Sequence, residues 1–505
     1  MTDAVKPRLF RGLRDQLPEP MAARQWLIDT IRGVYELYGF VPLATPAIEY
    51  LDVLSGSAGT EAQESIFTVK NPDVRLGDTD EPLGLRFDLT VPLARVVAQY
   101  RDLPRPFRRY QVSSVWRRDK PGPGRFREFT QFDLDSVGVA SEVADVEIIA
   151  AMCDTLTALN VGPYRVRFSS RRILNLLLKY AAIPEQIEVV ERVRTGSGTF
   201  SEQKVNRPAD DVFRVLDKLE RVGLDKIRLE LASGYTDESG DYISGLGLGD
   251  DQVAKIEQFL DIRSDSRTEV LDRLRDIFGD VDGAKEEIDI LAGMSRQLAG
   301  LGYNDDRVAI DLSVARGLAY YTGPVFEAVL LDAPKFGSIF GGGRYDNLVA
   351  RFLGEPLPAT GESIGVDRLL AALLEIGKIS ARRATAQVLV TVMDKAMIDE
   401  YLGITFELRR AGVPAELFLG KKGIGKQLKY ADAQGIPIVV MLGGDEKAKG
   451  TVTLKDLRKG RVMSAEIQAR ETWIRERPGQ IEVPRGELLA AVRSMLAEAE
   501  ETPPV

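Results

Sequence analysis

The sequence predicts an α+β protein: an antiparallel sheet with helices to one side, followed by a smaller α/β domain. Three observations carry that prediction. Between residues 83 and 139 the strand-like segments LGLRFDLTV, PFRRYQVSSVW and FREFTQFDLDSVGV succeed one another before the helix EVADVEIIAAMCDTLTAL, an order that suits hairpin-joined strands rather than βαβ units. From residue 387 strands and helices alternate (QVLVTVM, a helix to RRAG, VPAELFL, KQLKYADAQG, IPIVVMLGG, TVTLKDL), as a mainly parallel sheet requires. A chain of 505 residues, 44% of them hydrophobic, is too long for one ordinary core and has enough apolar material for several.

The elements follow in order. In PMAARQWLIDTIRGVYELY (20–38), Trp26, Leu27, Ile31, Val34, Leu37 and Tyr38 recur at helical spacing and Gly39 stops the run. FVPLATPAIE is strand-like but interrupted by prolines, which places it at an edge. Residues 1–168 form the first part of the sheet domain. Charged stretches (EVVERV, DDVFRVLDKLERV, DQVAKIEQFL, EVLDRLRDIF, KEEIDILAGMSRQLAG) predict a helical insertion over 169–306. Strand-like sequence resumes over 307–379 (DRVAIDLSVARGLAYYTGPVFEAVLL, FGSIFGGGRYDNLV, GESIGVDRLLAALLEIG), then come a linker at 380–385, the α/β domain at 386–495 and an acidic tail at 496–505.

Composition removes several function classes. The balance of 67 Lys+Arg against 76 Asp+Glu, a net charge of −9, argues against a generic polyanion coater, so any nucleic-acid contact is a local patch. The single Cys153 leaves no intramolecular disulfide and no cysteine-cluster metal site. The chain contains no histidine at all, which removes Ser/His/Asp and Cys/His nucleophile arrangements and histidine-ligated zinc. MTDAVKPRLFRGLRD lacks an apolar core, and no run of 18 apolar residues occurs, so a soluble, cytoplasmic protein with no membrane partner is expected.

Two glycine-rich stretches tempt a nucleotide-loop reading. GKKGIGKQ (420–427) nearly matches a P-loop, but Gln427 replaces the Ser/Thr that would hold Mg2+. GGGRYD (341–346) lacks the strand–turn–helix context of a dinucleotide loop, which leaves bulges or close backbone approach.

The densest chemistry lies in WRRDKPGPGRFREFTQFDLD (116–135). Arg117, Arg125 and Arg127 on a Pro/Gly-tipped hairpin can present planar guanidinium groups to a triphosphate. Gln131, Asp133 and Asp135 alternate on one strand face and suit an ammonium or another donor-rich ligand. Taken alone, a solvated hairpin laced with salt bridges explains the same residues.

This stretch resembles motif 2 of the class II aminoacyl-tRNA synthetases. Together with RGLAYYTGPVFEA (316–328), and with LRFDLTVPLARVVAQY, YGFVPLATPAIE, GGGRYDNLV and GESIGVDRLLAALLE in the family's order, it resembles the histidyl-tRNA synthetases. The resemblance implies ATP-dependent activation of L-histidine and its transfer to tRNA(His), ATP with Mg2+ as substrate, no protein-bound cofactor, a homodimer and a C-terminal anticodon-binding domain. Arg117 would contact the α-phosphate, with Arg316 on its opposite side. Phe129 would stack on adenine, Arg368 would hold the far phosphates, and Asp119 and Arg125 would complete the ATP site. Asp88, Thr90 and Gln131 would bind the substrate ammonium, and Asp135, Tyr321 and Tyr320 its imidazole. Gly122 stands where the family's common bacterial form reads the extra 5′ guanosine of its tRNA; Lys421, Lys422, Lys426 and Lys429 would meet the tRNA backbone. The Mg2+ ligands stay unassigned. The pattern departs at Ala319, Arg118 and Thr130, where the family commonly carries Asp, His and His. An alternative from another class is a catalytically silent paralogue that binds histidine or tRNA as a regulator; such paralogues lack the anticodon domain and tend to lose the ATP arginines.

Overall fold

The computed structural model describes residues 5–55, 65–72, 81–122, 124–194, 200–237, 242–314, 321–379, 384–420, 423–459 and 479–500. They fall into two compact units: Met1–Arg14 with Leu27–Lys378, and Asp15–Trp26 with Ile379–Val505.

The first unit is built on an eight-stranded sheet. Its strands are β1 (Val41–Pro42), β2 (Phe107–Trp116), β3 (Glu128–Val137), β4 (Tyr164–Ser170), β5 (Val308–Ile310), β6 (Pro324–Leu330), β7 (Ser338–Arg344) and β8 (Ala359–Gly365), in the spatial order β1-β2-β3-β8-β7-β6-β4-β5. The five inner pairings are antiparallel, and the two outermost, β1–β2 and β4–β5, are parallel. The two sequence blocks on either side of the insertion thus interleave, because β3 pairs with β8. Helix α1 (Pro18–Leu37) buries Leu27, Ile31 and Tyr35, and the Tyr35 ring meets Phe132 of β3 edge-on at 5.1 Å. Trp26 and Leu37, read as part of the same stripe, are exposed; both lie about a third of a turn off it, on the same side.

Two expected elements differ. Only Leu83–Leu85 of LGLRFDLTV is a strand, and the chain then turns into helix α2 (Thr90–Gln99). Asp88 makes that turn possible by accepting the Val91 N–H at 3.1 Å, one of the donors a helix start leaves unpaired. The inserted region is not purely helical either. EVVERV lies in the strand Gln186–Arg194, which pairs antiparallel with Phe200–Pro208, and a second hairpin joins Gly234–Thr236 to Tyr242–Ser244. Ile187 and Val189 are buried at a period of two, so β-branched alternation outweighs charge content there. The helices Asp250–Leu260, Arg267–Phe278 and Ala284–Gly300 are present as read.

The second unit carries β9 (Val388–Val390), β10 (Ala415–Leu417), β11 (Ile438–Met441), β12 (Thr451–Asp456) and β13 (Gln480–Pro484), in the order β10-β9-β11-β12-β13. Pairings around β9 are parallel, and those of β12 antiparallel. Val388, Val390, Ile438 and Val440 form its core with Tyr401, Ile404 and Leu408 of the helix Ile398–Arg410. Among the described residues no helix is long and apolar enough to cross a membrane.

Candidate active site

Register on the first sheet assembles a polar trough. Across β2–β3, Arg109 faces Asp135, Gln111 faces Asp133 and Ser113 faces Gln131. Across β3–β8, Asp135 faces Gly361, Asp133 faces Ser363 and Gln131 faces Gly365. Directly opposed residues share a sheet face, so a floor of glycine and serine runs beside a row of acceptors. The glycines are there for space. A Cβ on Gly361 would lie 2.0 Å from Asp135 Oδ1, and one on Gly343 2.9 Å from the Tyr321 ring.

The fully buried Arg109 ties the trough together. Its Nη2 lies 2.8 Å from Asp135 Oδ2, 3.9 Å from Asp133 Oδ2 and 3.1 Å from the Leu89 carbonyl. Asp135 also accepts the Tyr345 hydroxyl, and Gln131 Nε2 donates to Ser363 Oγ at 2.8 Å. Among the described residues, five buried acceptors of the trough make no hydrogen bond: Asp88 Oδ2, Gln111 Oε1, Gln131 Oε1, Asp133 Oδ1 and Asp135 Oδ2, the last with the Arg109 charge 2.8 Å away. Orphaned acceptors of this kind are costly unless a ligand supplies the donor. Burial pushes Asp88 up to about 6, against the Val91 N–H and the Arg117 charge. It pushes Asp133 up to about 7, against Arg109. Thr90 opens α2, two residues beyond Asp88, and Tyr321 is half-buried.

Arg117 stands at the open end of the same hairpin. Its Nε donates to the Phe87 carbonyl at 2.9 Å, and its guanidinium lies 5.2 Å from the centre of the half-buried Phe129 ring. Arg368, in the first turn of the helix Val366–Glu375, donates from Nη1 to the Ser338 carbonyl at 2.8 Å. Asp119 and Arg125 are exposed in the loop, where Gly122 and Arg125 exchange backbone hydrogen bonds of 3.1 and 2.9 Å. A Cβ on Gly122 would meet nothing within 4 Å.

Arg316, Ala319 and Tyr320 lie outside the described residues, as do Lys421 and Lys422. Lys426 and Lys429 are exposed on the helix Ile424–Gln434. Between them Gln427 is buried and clasps the Val392 backbone, accepting from its N–H at 3.0 Å and donating to its carbonyl at 2.7 Å. That side chain is a structural clip, and GKKGIGKQ is no P-loop.

Sequence reasoning missed Arg14, Arg109, Tyr345, Ser363 and Asp367. Asp367 accepts the Thr130 N–H at 2.7 Å and Arg14 Nη2 at 2.5 Å, and Arg14 lies 3.8 Å over the Phe126 ring. For Arg109 a signal existed: an arginine at a strand position whose hairpin register pairs it with Asp135.

A family model described as histidyl-tRNA synthetase matches residues 12–197 and 242–369, and an anticodon-binding domain model matches 387–477. A curated histidine–tRNA ligase from Cereibacter sphaeroides is 43% identical over 96% of this chain and 97% of its own length. One from Rhizobium meliloti is 41% identical over 99% and 97%. A crystal structure of histidyl-tRNA synthetase from Nostoc superposes with a TM-score of 0.76 at 31% identity, covering 97% of this chain and all of that one. A structure from Bacillus halodurans, titled as an ATP phosphoribosyltransferase regulatory subunit/histidyl-tRNA synthetase, matches at TM-score 0.62 and 22% identity, which speaks to the fold alone.

Proposed function

The chain belongs to the histidyl-tRNA synthetase family, and on that premise we propose how its residues divide the reaction, the ATP-dependent activation of L-histidine to histidyl-adenylate followed by transfer to the 3′ end of tRNA(His). The observation that carries the assignment is the set of orphaned acceptors, Gln131 Oε1 on the same hairpin as Arg117 and Asp88 Oδ2 in the turn next to Phe87, whose carbonyl Arg117 holds.

Asp88, Thr90 and Gln131 receive the three N–H donors of the substrate ammonium. Asp135, Tyr321 and Tyr320 lie around the imidazole. The substrate carboxylate is ionised at neutral pH and attacks the α-phosphorus of ATP directly, and pyrophosphate leaves with the electron pair of the cleaved P–O bond. No general base is needed, which fits a chain without histidine. The protein's task is alignment and neutralisation of charge growing on the α-phosphate. Arg117 and Arg316 supply that charge, Phe129 stacks on adenine, Arg368 takes the far phosphates, and Asp119 and Arg125 border the nucleotide. Mg2+ arrives as the ATP complex. In the second step the tRNA hydroxyl attacks the mixed anhydride and a phosphate oxygen of the leaving AMP takes the proton.

Residues 1–168 and 307–379 act as the catalytic domain of a cytoplasmic homodimer. Residues 386–495 bind the anticodon, with Lys421, Lys422, Lys426 and Lys429 toward the tRNA backbone. The regulatory paralogue is disfavoured by the retention of Arg117, Arg368 and the second unit.

The test is amino-acid-dependent ATP–pyrophosphate exchange with each of the twenty amino acids. Exchange is expected with histidine alone, reduced by about 10²–10³-fold in Arg117→Ala, as when a single transition-state donor is removed. Exchange with a different amino acid, or histidine binding without exchange, would overturn the reading.

A further inference from the structure

Asp133 is one of the orphaned acceptors of the trough, and the division of roles proposed above does not use it. It is almost fully buried, with Oδ1 unpartnered. A purely structural task would be to neutralise Arg109, but Asp135 already does that at 2.8 Å while Asp133 stands 3.9 Å away. The substrate ammonium has three donors, and Asp88, Thr90 and Gln131 account for them. What remains on a histidine is its ring. Same-face neighbours on a strand are spaced by about 7 Å, so Asp133 sits midway between the ammonium acceptor Gln131 and Asp135 at the ring end. Asp135, for its part, has the Tyr345 hydroxyl on Oδ1 and the Arg109 charge 2.8 Å from Oδ2, whereas Asp133 Oδ1 makes no hydrogen bond and its other oxygen lies 3.9 Å from Arg109.

We propose that Asp133 is a further specificity residue, accepting the N–H of the ring nitrogen nearer the substrate's main chain, Nδ1, while Arg109 and Ser363 hold its carboxylate in place. The assignment rests on the synthetase reading above. Asp135 and Tyr321 then bound the far side of the ring, and a side chain without a donor at Nδ1 is rejected because it would leave Asp133 buried and unpaired.

The experiment compares histidine with Nδ1-methylhistidine, as substrate and as competitor, in ATP–pyrophosphate exchange by the unaltered protein, Asp133→Ala and Asp133→Gly. Removing the acceptor and making room is expected to lower the discrimination between the two at least about tenfold in both variants. The change should come chiefly through the KM for histidine, with the KM for ATP unmoved. Asp133→Asn, nearly isosteric and still carrying an acceptor oxygen, is expected to keep most of the discrimination, and it answers the question if the smaller variants fail to fold. Equal losses for both substrates, with the ratio unchanged, would make Asp133 a mere support for Arg109 and overturn the proposal, as would an Asn variant that loses discrimination as fully as Ala. Failure of the synthetase reading looks different: the unaltered protein would show no histidine-dependent exchange.

Discussion

Two buried polar regions of this chain are built by opposite rules. In the second unit, the buried Gln427 amide both accepts from and donates to the Val392 backbone, closing these hydrogen bonds within the protein. On the eight-stranded sheet and in the turn before α2, Gln131, Asp133 and Asp88 are buried too, yet each keeps an oxygen without a hydrogen-bond partner. Burial costs a polar group its water, and a fold tolerates that cost either by closing the hydrogen bonds internally or by leaving them for a substrate to close. The first arrangement stabilises; the second stores recognition. The catalytic unit holds both kinds side by side, since Arg344 is closed on Asp145 at 2.6 and 3.0 Å and on two backbone carbonyls.

The comparison breaks most severely at Gly361. A methyl placed 2.0 Å from Asp135 Oδ1 must push that carboxylate off Arg109. Gly361→Ala is therefore expected to raise the histidine KM or lower kcat by about 10²-fold, the scale of a misplaced substrate, with a stability loss of about 1–3 kcal/mol from overpacking. Exchange kinetics within about threefold of the parent would show that the trough is looser than its glycines imply.

Asp88 sharpens it. Its folded pKa, raised from 3.8 to about 6, means the folded state holds the proton more tightly than the unfolded chain. The associated stability is fully present below about pH 4 and is lost as pH rises through 6. Asp88→Asn removes that loss while keeping an acceptor for Val91. The variant should match its parent at pH 4 and exceed it at pH 8 by on the order of 1–3 kcal/mol, while binding histidine more weakly. Denaturant melts at the two pH values check this, and an Asp88→Asn curve parallel to the parent's would refute it.

Gln427→Ala tests the opposite rule with the smallest effect. It strands the Val392 N–H and carbonyl, so a loss of about 1–2 kcal/mol is expected in the second unit, with no change in ATP–pyrophosphate exchange. A change in exchange would mean the two kinds of buried polar group are not separable.

Much of this could be read along the chain, because it depends on local spacing. The hairpin 107–137 follows from alternation around a Pro/Gly tip, and its residues Arg117, Phe129, Gln131 and Asp135 are contiguous enough to be recognised together. Where reading failed, a local signal competed with a tertiary one. The segment 188–193 carries charges that suggest a helix, yet its partner strand 200–208 makes it a hairpin. Gln427 sits inside a near P-loop pattern and turns out to clasp Val392, 35 residues earlier in the chain.

By itself the sequence determined the hairpin 107–137, the helices at 250–300 and the side chains on the β3 face, since a strand's period of two and a helix's of 3.6 are properties of adjacent residues. Only the tertiary structure decided which of those side chains are left wanting a donor. That distinction depends on β8 bringing Gly361 and Ser363 beside β3 from more than 220 residues away in the chain, and on Arg109 and Tyr345 reaching Asp135 first. Hydrogen-bond satisfaction is a sum over everything within about 3 Å of an atom, and no sequence window contains that neighbourhood.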